Sequence, residues 1–151
     1  MKPVILSTLF LALAAPAFAE GDAAAGEKAF KKCKACYTIA NGDEVIYKGG
    51  KTGPNLYGVI GRQAGSYEGF KYSKSLAAAG EAGLVWDAES LVNFIADPKA
   101  FLKGYLGDSG ARSKMSFKMN KGSEDIAAYL ISVGPEMEAD EAASEEGASD
   151  S

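Results

Sequence analysis

Two cysteines, in the segment Cys33-Lys34-Ala35-Cys36, are the only cysteines of this 151-residue chain, and the chain contains no histidine. The absence of histidine excludes a Ser-His catalytic triad, histidine-based acid–base catalysis and zinc or copper sites with histidine ligands. Two thiols are also too few for a disulfide-dense scaffold or for a metal site built from four thiolates. The pair therefore limits the chain to folds and cofactors that need only two cysteines.

A C-x-x-C pair has four interpretations: a redox-active dithiol, a structural disulfide, half of a metal site, or covalent attachment of haem. A redox dithiol is typical of a thioredoxin-type βαβ unit, which the sequence does not indicate, and a metal site would need further cysteines or histidines. Haem attachment requires two thiols spaced to reach the two vinyl groups at one porphyrin edge. It also places the next residue under the iron; that residue is normally histidine and is here Tyr37.

Residues 1–19 have the features of a secretory signal peptide. Lys2 gives a short positive region, Val4 to Ala15 an apolar stretch, and Ala17-Phe18-Ala19 a small-x-small cleavage site. The apolar stretch is shorter than the roughly 20 residues that span a bilayer. We therefore expect cleavage before Glu20, a mature protein in the periplasm, and no membrane insertion after cleavage.

Residues 134–151 differ in composition from the rest of the chain. They contain seven acidic residues and no basic one. The acids are Glu136, Glu138, Asp140, Glu141, Glu145, Glu146 and Asp150. Such a segment buries too little apolar surface to offset its ordering entropy, so we predict a disordered acidic tail after a single domain of residues 20–133.

The charge of the chain is unevenly distributed. The whole chain carries a formal charge of −4, which does not favour nucleic-acid binding. Residues 20–133, however, hold all 16 bases except Lys2 and all 20 acids except the seven of the tail, which leaves a charge of +2. Their bases form two acid-free clusters, which we interpret as a docking surface for an acidic partner. The clusters are Lys28, Lys31, Lys32 and Lys34, and Arg112, Lys114, Lys118 and Lys121.

The residue pattern predicts a mostly helical domain with long loops. The predicted helical segments are Asp22 to Lys32, Tyr72 to Ala79 with Gly80 ending the helix, a helix capped by Asp87 that ends near Pro98, a short piece at Phe101-Leu102, and a helix from about Ser123 to Gly134-Pro135. Residues 41–66 are predicted to be loop, and no alternating β pattern of useful length occurs. The core is small for this loop content, which suggests that another group fills the middle.

A series of short motifs runs through the mature region. The motifs are Gly26-Glu27-Lys28-x-Phe30, Cys33-x-x-Cys36, Lys51-Thr52-Gly53-Pro54-Asn55-Leu56-Tyr57-Gly58, Gly61-Arg62, Phe70-x-Tyr72-Ser73, Trp86, Asp97-Pro98-x-x-Phe101-Leu102, Lys114-Met115-Ser116-Phe117-Lys118-Met119 and Ala128-Tyr129-Leu130. In this order and spacing they resemble a bacterial class I c-type cytochrome of the cytochrome c2 type, over essentially all of residues 21–133. The resemblance implies a small all-α cytochrome c-type fold of four to five helices, with long loops wrapped around a haem.

The resemblance also implies which residues hold the cofactor, haem c. Cys33 and Cys36 would form the two thioether bonds. Met115 matches the distal axial ligand, whose soft thioether favours Fe(II). The Gly53-Pro54 segment matches the one whose carbonyl accepts a hydrogen bond from the proximal imidazole in this family.

Three further residues match the family's surroundings of a haem propionate. Tyr72 and Trp86 correspond to hydrogen-bond donors to this carboxylate, since a buried carboxylate needs donors. Arg62 is placed to offset the same negative charge. A simpler interpretation of each residue is a polar side chain of the core whose hydrogen bonds are made within the protein.

Tyr37 departs from the family, because it stands where the proximal histidine is expected. Three outcomes are open: Tyr37 binds iron as a phenolate, the iron keeps Met115 alone while Tyr37 is displaced, or haem is not attached. Phenol has an unperturbed pKa of about 10, which Fe(III) would lower. A single-base change converts a His codon to a Tyr codon, so a point substitution in a working cytochrome is a further explanation.

The function implied by the resemblance is soluble one-electron transport, not substrate turnover by an enzyme. The carrier would be a monomer that moves electrons between a membrane cytochrome bc complex and a photosynthetic reaction centre or terminal oxidase, with the lysine clusters steering docking. Two alternatives stay open: a ligand-altered haem protein with an open coordination site, acting in small-molecule binding or weak peroxidase-like chemistry, and a haem-less interaction module.

Overall fold

The computed structural model describes residues 21–136. The predicted signal peptide (1–19) and all but the first three residues of the predicted tail (134–151) lie outside them. Within this range the chain forms five α-helices, a 3₁₀ turn and a β-hairpin, joined by long loops. In chain order they are α1 (Ala23–Ala29), the 3₁₀ turn (Phe30–Lys32), β1 (Ile39–Asn41), β2 (Glu44–Tyr47), α2 (Lys74–Glu81), α3 (Ala88–Ala96), α4 (Pro98–Leu106) and α5 (Ser123–Val133). The predicted small helical fold is confirmed.

The β-hairpin corrects the prediction that residues 41–66 are all loop. β1 and β2 pair antiparallel, with Asn41 opposite Glu44 across a two-residue turn. Gly42 begins that turn with a φ of 59°, a conformation that L side chains rarely adopt. The Asn41-Gly42 pair is a strong short-range hairpin signal, but the strands are too short to show clear alternation.

Side chains at the helix N-termini explain where the helices begin. The Asp22 carboxylate accepts hydrogen bonds from the backbone at the start of α1, and Asp87 and Ser90 form a reciprocal capping box at α3. Ser73 caps α2, so this helix begins two residues later than predicted. Asp97 caps α4, with Pro98 in its first turn, so the predicted short piece at Phe101-Leu102 is a helix of nine residues.

Gly80 does not end α2, contrary to the prediction. The helix continues to Glu81, and Gly80 is buried within it. A Cβ built on Gly80 would lie 1.8 Å from the carbonyl oxygen of Ala64, so the glycine permits close approach of the loop before α2. A glycine that permits close packing and a glycine that ends a helix look alike in sequence. The sequence alone therefore does not place the end of α2.

The core lies where α1 crosses α5. A Cβ on Gly26 of α1 would lie 1.9 Å from the Asp125 carbonyl oxygen and 2.7 Å from the Tyr129 Cβ. Phe30, fully buried just after α1, lies with its ring centroid 5.7 Å from that of Tyr129 and 4.9 Å from that of Tyr47. The Phe30 ring therefore packs against one ring of α5 and one of β2, and the helix crossing and the hairpin share this aromatic cluster.

A second part of the core holds α3 and α4 together. Trp86, immediately before the cap of α3, lies with its ring centroid 5.1 Å from that of Phe94 and 6.1 Å from that of Phe101. Tyr105 extends this series to the surface. No helix among residues 21–136 is long and apolar enough to cross a membrane.

We predict that Gly26→Ala lowers the free energy of unfolding by about 2 kcal/mol or more, because the new methyl group has no room at the crossing of α1 and α5. Gly104→Ala is the matched control. It lies in α4 with no atom within 4 Å of its built Cβ, and it should stabilise the protein by about 0.5–1 kcal/mol. Urea unfolding of both variants gives the comparison, and equal stability of the two would contradict the proposed crossing.

Candidate functional site

The two cysteines lie in the tight turn that follows the 3₁₀ turn. The amides of Cys36 and Tyr37 donate to the Cys33 carbonyl at 3.1 Å and 3.0 Å. Both thiols are free; Cys33 is half-buried and Cys36 is exposed. Burial, with a contribution from neighbouring Cys36, raises the pKa of Cys33 to about 11, so Cys33 is a neutral thiol at neutral pH.

Tyr37 extends from the cysteine turn into the interior. Its ring packs closely on Gly53: a Cβ built there would be 2.2 Å from the Tyr37 Cε1 atom. The Gly53 amide donates to the Cys36 carbonyl at 2.8 Å, which fixes the Gly53-Pro54 segment beside the turn. Burial, followed by the nearby cysteines, raises the pKa of Tyr37 to about 12. The side chain is therefore a neutral phenol that donates a hydrogen bond.

The acceptor of that hydrogen bond is Met115. The Tyr37 hydroxyl donates to the Met115 sulfur at an Oη–Sδ distance of 3.3 Å. The two residues are 78 positions apart in the chain. The sequence-predicted cysteine turn and the sequence-predicted methionine are thus brought to one place, with the Tyr37 side chain between them.

Met115 lies in a segment without helix or strand between α4 and α5. Three contacts anchor this segment. The Lys118 ammonium contacts the Asp97 carboxylate at 2.6 Å, and the Met119 amide donates to the Ile95 carbonyl at 3.0 Å. The Lys114 ammonium donates to the Lys71 carbonyl at 2.5 Å. The thioether is therefore presented by a loop that is fastened on both sides of Met115.

Arg62 and Tyr72, two of the predicted propionate neighbours, meet at Tyr67. The Arg62 guanidinium lies 5.0 Å from the centre of the Tyr67 ring, and the Tyr67 amide donates to the Tyr72 hydroxyl at 3.2 Å. Arg62 also donates to the carbonyls of Asn55 and Tyr57 at 2.8 Å and 2.5 Å. A partly buried cation and a phenol are thus held side by side, as donors to a carboxylate would need to be.

Trp86 lies next to Arg62 through the backbone. The Trp86 amide donates to the Arg62 carbonyl at 2.9 Å, and the Gly61 amide donates to the Trp86 carbonyl at 2.7 Å. The indole itself is buried among the core aromatic rings. The structure therefore joins all three predicted propionate neighbours in one region.

The sequence reasoning did not identify two residues that organise the site. Tyr67 links Arg62 to Tyr72, but an exposed tyrosine in a glycine-containing loop gives no sequence signal for this role. Asp97 belongs to a motif with Pro98, and it also binds Lys118. Its position before a proline predicts a helix cap but not a partner 21 residues away.

Comparisons with known proteins agree on one family. The chain is 60% identical to cytochrome c-551 of Roseobacter denitrificans over 132 residues, which cover 86% of this chain and 92% of the relative. It is 56% identical to cytochrome c2 of Rhodobacter capsulatus over 125 residues, covering 82% and 90%. No family model matches.

Solved structures give the same result. The structure of Rhodobacter capsulatus cytochrome c2 matches with a TM-score of 0.73 at 54% identity, over 75% of this chain and 98% of that chain. Ferric cytochrome c-550 of Paracoccus versutus matches with a TM-score of 0.75 at 48% identity, over 77% and 100%. The chain belongs to the class I c-type cytochromes of the cytochrome c2 and c-550 type, electron-transfer proteins that carry covalently bound haem c.

The donor atoms of the site fit covalent attachment of haem c. Two free thiols with C-x-x-C spacing lie in the turn before Tyr37, whose hydroxyl contacts the Met115 thioether at 3.3 Å, and the described residues hold no cluster of three or more Cys, Asp or Glu that would bind a metal ion instead. Cys33 and Cys36 would hold the haem by thioether bonds, and Met115 would offer a soft sulfur donor to its iron.

We predict that the Asp97–Lys118 ion pair stabilises the fold in a pH-dependent way. The hydrogen bond from Lys118, then the one from the Ala100 amide, lowers the pKa of Asp97. The stabilisation is therefore present above the unfolded pKa of about 3.9 and is lost as the pH falls through the lower native pKa. Asparagine still caps a helix, so Asp97→Asn removes mainly the charge.

Thermal unfolding of Asp97→Asn should show a lower Tm than the unsubstituted protein at pH 7, and the difference should shrink as the pH falls below about 4. Asp43→Asn, in the exposed hairpin turn, is the control and should leave the Tm nearly unchanged. A Tm difference for Asp97→Asn that is constant with pH would argue against a stabilising ion pair.

Proposed function

We propose that the mature chain is a periplasmic one-electron carrier with covalently attached haem c. It moves electrons from a membrane quinol-oxidising cytochrome bc complex to a photosynthetic reaction centre or a terminal oxidase. The observation that carries this proposal is the meeting of the cysteine turn and Met115 through Tyr37. Family membership at 60% identity supports the same conclusion.

Haem c supplies an iron that gains and loses one electron. Cys33 and Cys36 would hold the group by thioether bonds. Cys36 is exposed, so the bond it would form lies where a partner can approach. Electron transfer then needs no side chain to act as an acid, base or nucleophile, which agrees with an electron-transfer protein and not an enzyme.

The surrounding residues set the environment of the group. Tyr72, Trp86 and Arg62 would surround a propionate, with Arg62 offsetting its charge and Tyr72 and Trp86 offering hydrogen-bond donors. Gly53 packs against the Tyr37 ring. Tyr37 takes the place that the family gives to its proximal histidine, and Met115 and Tyr37 would offer donor atoms to the iron.

The first lysine cluster suits docking to an acidic partner, and the second suits it less. Lys28, Lys31, Lys32 and Lys34 are all exposed beside the cysteine turn. In the second cluster, Lys121 is exposed, but Lys118 is bound to Asp97 and Lys114 to a backbone carbonyl. We propose that a monomer docks mainly through the first cluster, which surrounds the attachment turn.

A ligand-altered haem protein is the second candidate function. The observation in its favour is Tyr37, a phenol in the place that the family gives to its proximal imidazole, with its hydroxyl bonded to the Met115 sulfur. In this form the chain would still carry haem on Cys33 and Cys36 but would bind small molecules or perform weak peroxidase-like chemistry.

The proposed attachment predicts the mass of the protein isolated from the periplasm. The intact mass should equal the polypeptide from Glu20 plus one haem, and haem should remain with the chain after denaturation. A Cys33→Ser/Cys36→Ser double variant is the control and should lose the haem on denaturation. A polypeptide mass without the haem increment would overturn the proposed function.

The docking surface is tested by the rate of electron transfer from the bc complex. Lys31→Gln/Lys32→Gln should slow the reaction several-fold at low salt, and the effect should diminish at high salt because ions screen the charges. Lys74→Gln/Lys99→Gln removes the same charge from exposed lysines of α2 and α4 outside both clusters, and it should slow the reaction much less. Equal rates for these two double variants would argue against docking through the first cluster.

A further inference from the structure

The first lysine cluster forms a positive surface beside the cysteine turn. Its members, Lys28, Lys31, Lys32 and Lys34, are all exposed. Lys28 lies in the last turn of α1, and Lys31 and Lys32 follow in the 3₁₀ turn, at the spacing of three and four residues that places side chains on one face of a helix. Like charges at this spacing repel one another, so the surface favours a neutralising anionic partner.

Two further lysines extend this surface. The Gly50 amide donates to the Lys34 carbonyl at 2.8 Å, and a Cβ built on Gly49 would lie 2.7 Å from the same oxygen. This contact brings the exposed Lys48 and Lys51, which flank the two glycines, to the end of the first cluster. The basic surface therefore combines lysines from two separate stretches of the chain.

The carboxylates of the described fold leave these lysines unpaired. The only lysine–carboxylate ion pair among residues 21–136 joins Lys118 to Asp97, in the second cluster. Glu27, the one acid of α1, is exposed and takes part in no such pair. The charges of the basic surface are therefore available to a further anionic group, whereas those of the second cluster are partly engaged.

The predicted acidic tail begins near enough to reach this surface. The Pro135 Cδ atom lies 3.6 Å from a Cβ built on Gly58. Leu56, two residues before Gly58, donates its amide to the Thr38 carbonyl at 3.1 Å, and Thr38 follows the cysteine turn. Along these contacts the path from Pro135 to Lys34 is no more than about 35 Å. The 15 tail residues beyond the described ones span up to about 50 Å when extended.

We propose that the acidic tail binds the basic surface of its own molecule, so that an acidic partner must displace the tail in order to dock. The tail carries seven acids and no base, a charge opposite to that of the six lysines. Because both belong to one chain, each meets the other at an effective concentration on the order of millimolar. This inference rests on the docking surface of the proposed function and adds an intramolecular competitor for it.

A neutral-tail variant tests the inference, because it removes charge and keeps the length of the chain. It carries Glu138→Gln, Asp140→Asn, Glu141→Gln, Glu145→Gln, Glu146→Gln and Asp150→Asn. The measured quantity is the affinity of the protein isolated from the periplasm for heparin, a sulfated polyanion. We expect the variant to bind heparin at least about tenfold more tightly than the unsubstituted protein at low salt, and the difference should shrink at high salt because ions screen the tail from the lysines.

Two lysine backgrounds show whether the tail acts through contact or only through its net charge. With Lys31→Gln/Lys32→Gln, neutralising the tail should tighten heparin binding by about threefold or less, because groups in contact are energetically coupled. With Lys74→Gln/Lys99→Gln, which removes the same charge from exposed positions of α2 and α4, the tightening should stay at about tenfold. Equal tightening in the two backgrounds would overturn the inference.

Zero-length carbodiimide cross-linking locates the contact, because this reagent joins a lysine only to a carboxylate that touches it. In an equal mixture of unlabelled and isotope-labelled protein, we expect tail peptides to be linked to the basic surface with one label per linked pair. Pairs that mix the labels would place the tail of a second copy on the surface. Links mainly to Lys118 or Lys121 would place the tail on the second cluster, and either result would overturn the inference.

The outcomes separate the inference from the proposed function, because neither heparin affinity nor cross-linking requires an iron. A protein without haem by intact mass overturns the proposed function, while tail links within one molecule to the basic surface still support the inference. A haem-loaded protein whose tail shows no such links overturns only the inference.

Discussion

The hydrogen bond from Tyr37 to Met115 joins the two halves of the site, and the remaining structure fixes its two ends. On one side, Gly53 and the turn of Cys33 and Cys36 hold the tyrosine ring. On the other side, the ion pair between Lys118 and Asp97 fastens the methionine segment to the start of α4. The contact between Tyr37 and Met115 therefore depends on packing in two separate parts of the chain.

Most of the helical frame could be predicted from the sequence, because its signals are local. Asp22 and Asp87 are acidic caps followed by apolar positions at helical spacing, and both begin helices in the structure. The wrong predictions of secondary structure lie where one residue type serves two purposes or where a strand is too short to show a pattern. Gly80 permits close packing and does not end a helix, and the short strands around Gly42 have too few residues to show alternation.

The site could be predicted only as a set of residues. The cysteine pair, Tyr37 and Met115 were found from motif order, but the 3.3 Å contact joins positions 78 residues apart and depends on tertiary packing. For the same reason Lys118 looked like a free docking charge in sequence, whereas Asp97 binds it in the fold. Tyr67, which joins Arg62 to Tyr72, belongs to no motif that would have singled it out.

The central claim is that this chain is a cytochrome c fold with haem attached through Cys33 and Cys36. The pyridine haemochrome spectrum of the purified protein tests it directly, because conversion of both vinyl groups to thioethers moves the α-band to a shorter wavelength than that of haem with free vinyl groups. The account predicts the band position of a haem with two thioether bonds. A spectrum of haem with free vinyl groups, or no haem spectrum at all, would contradict it.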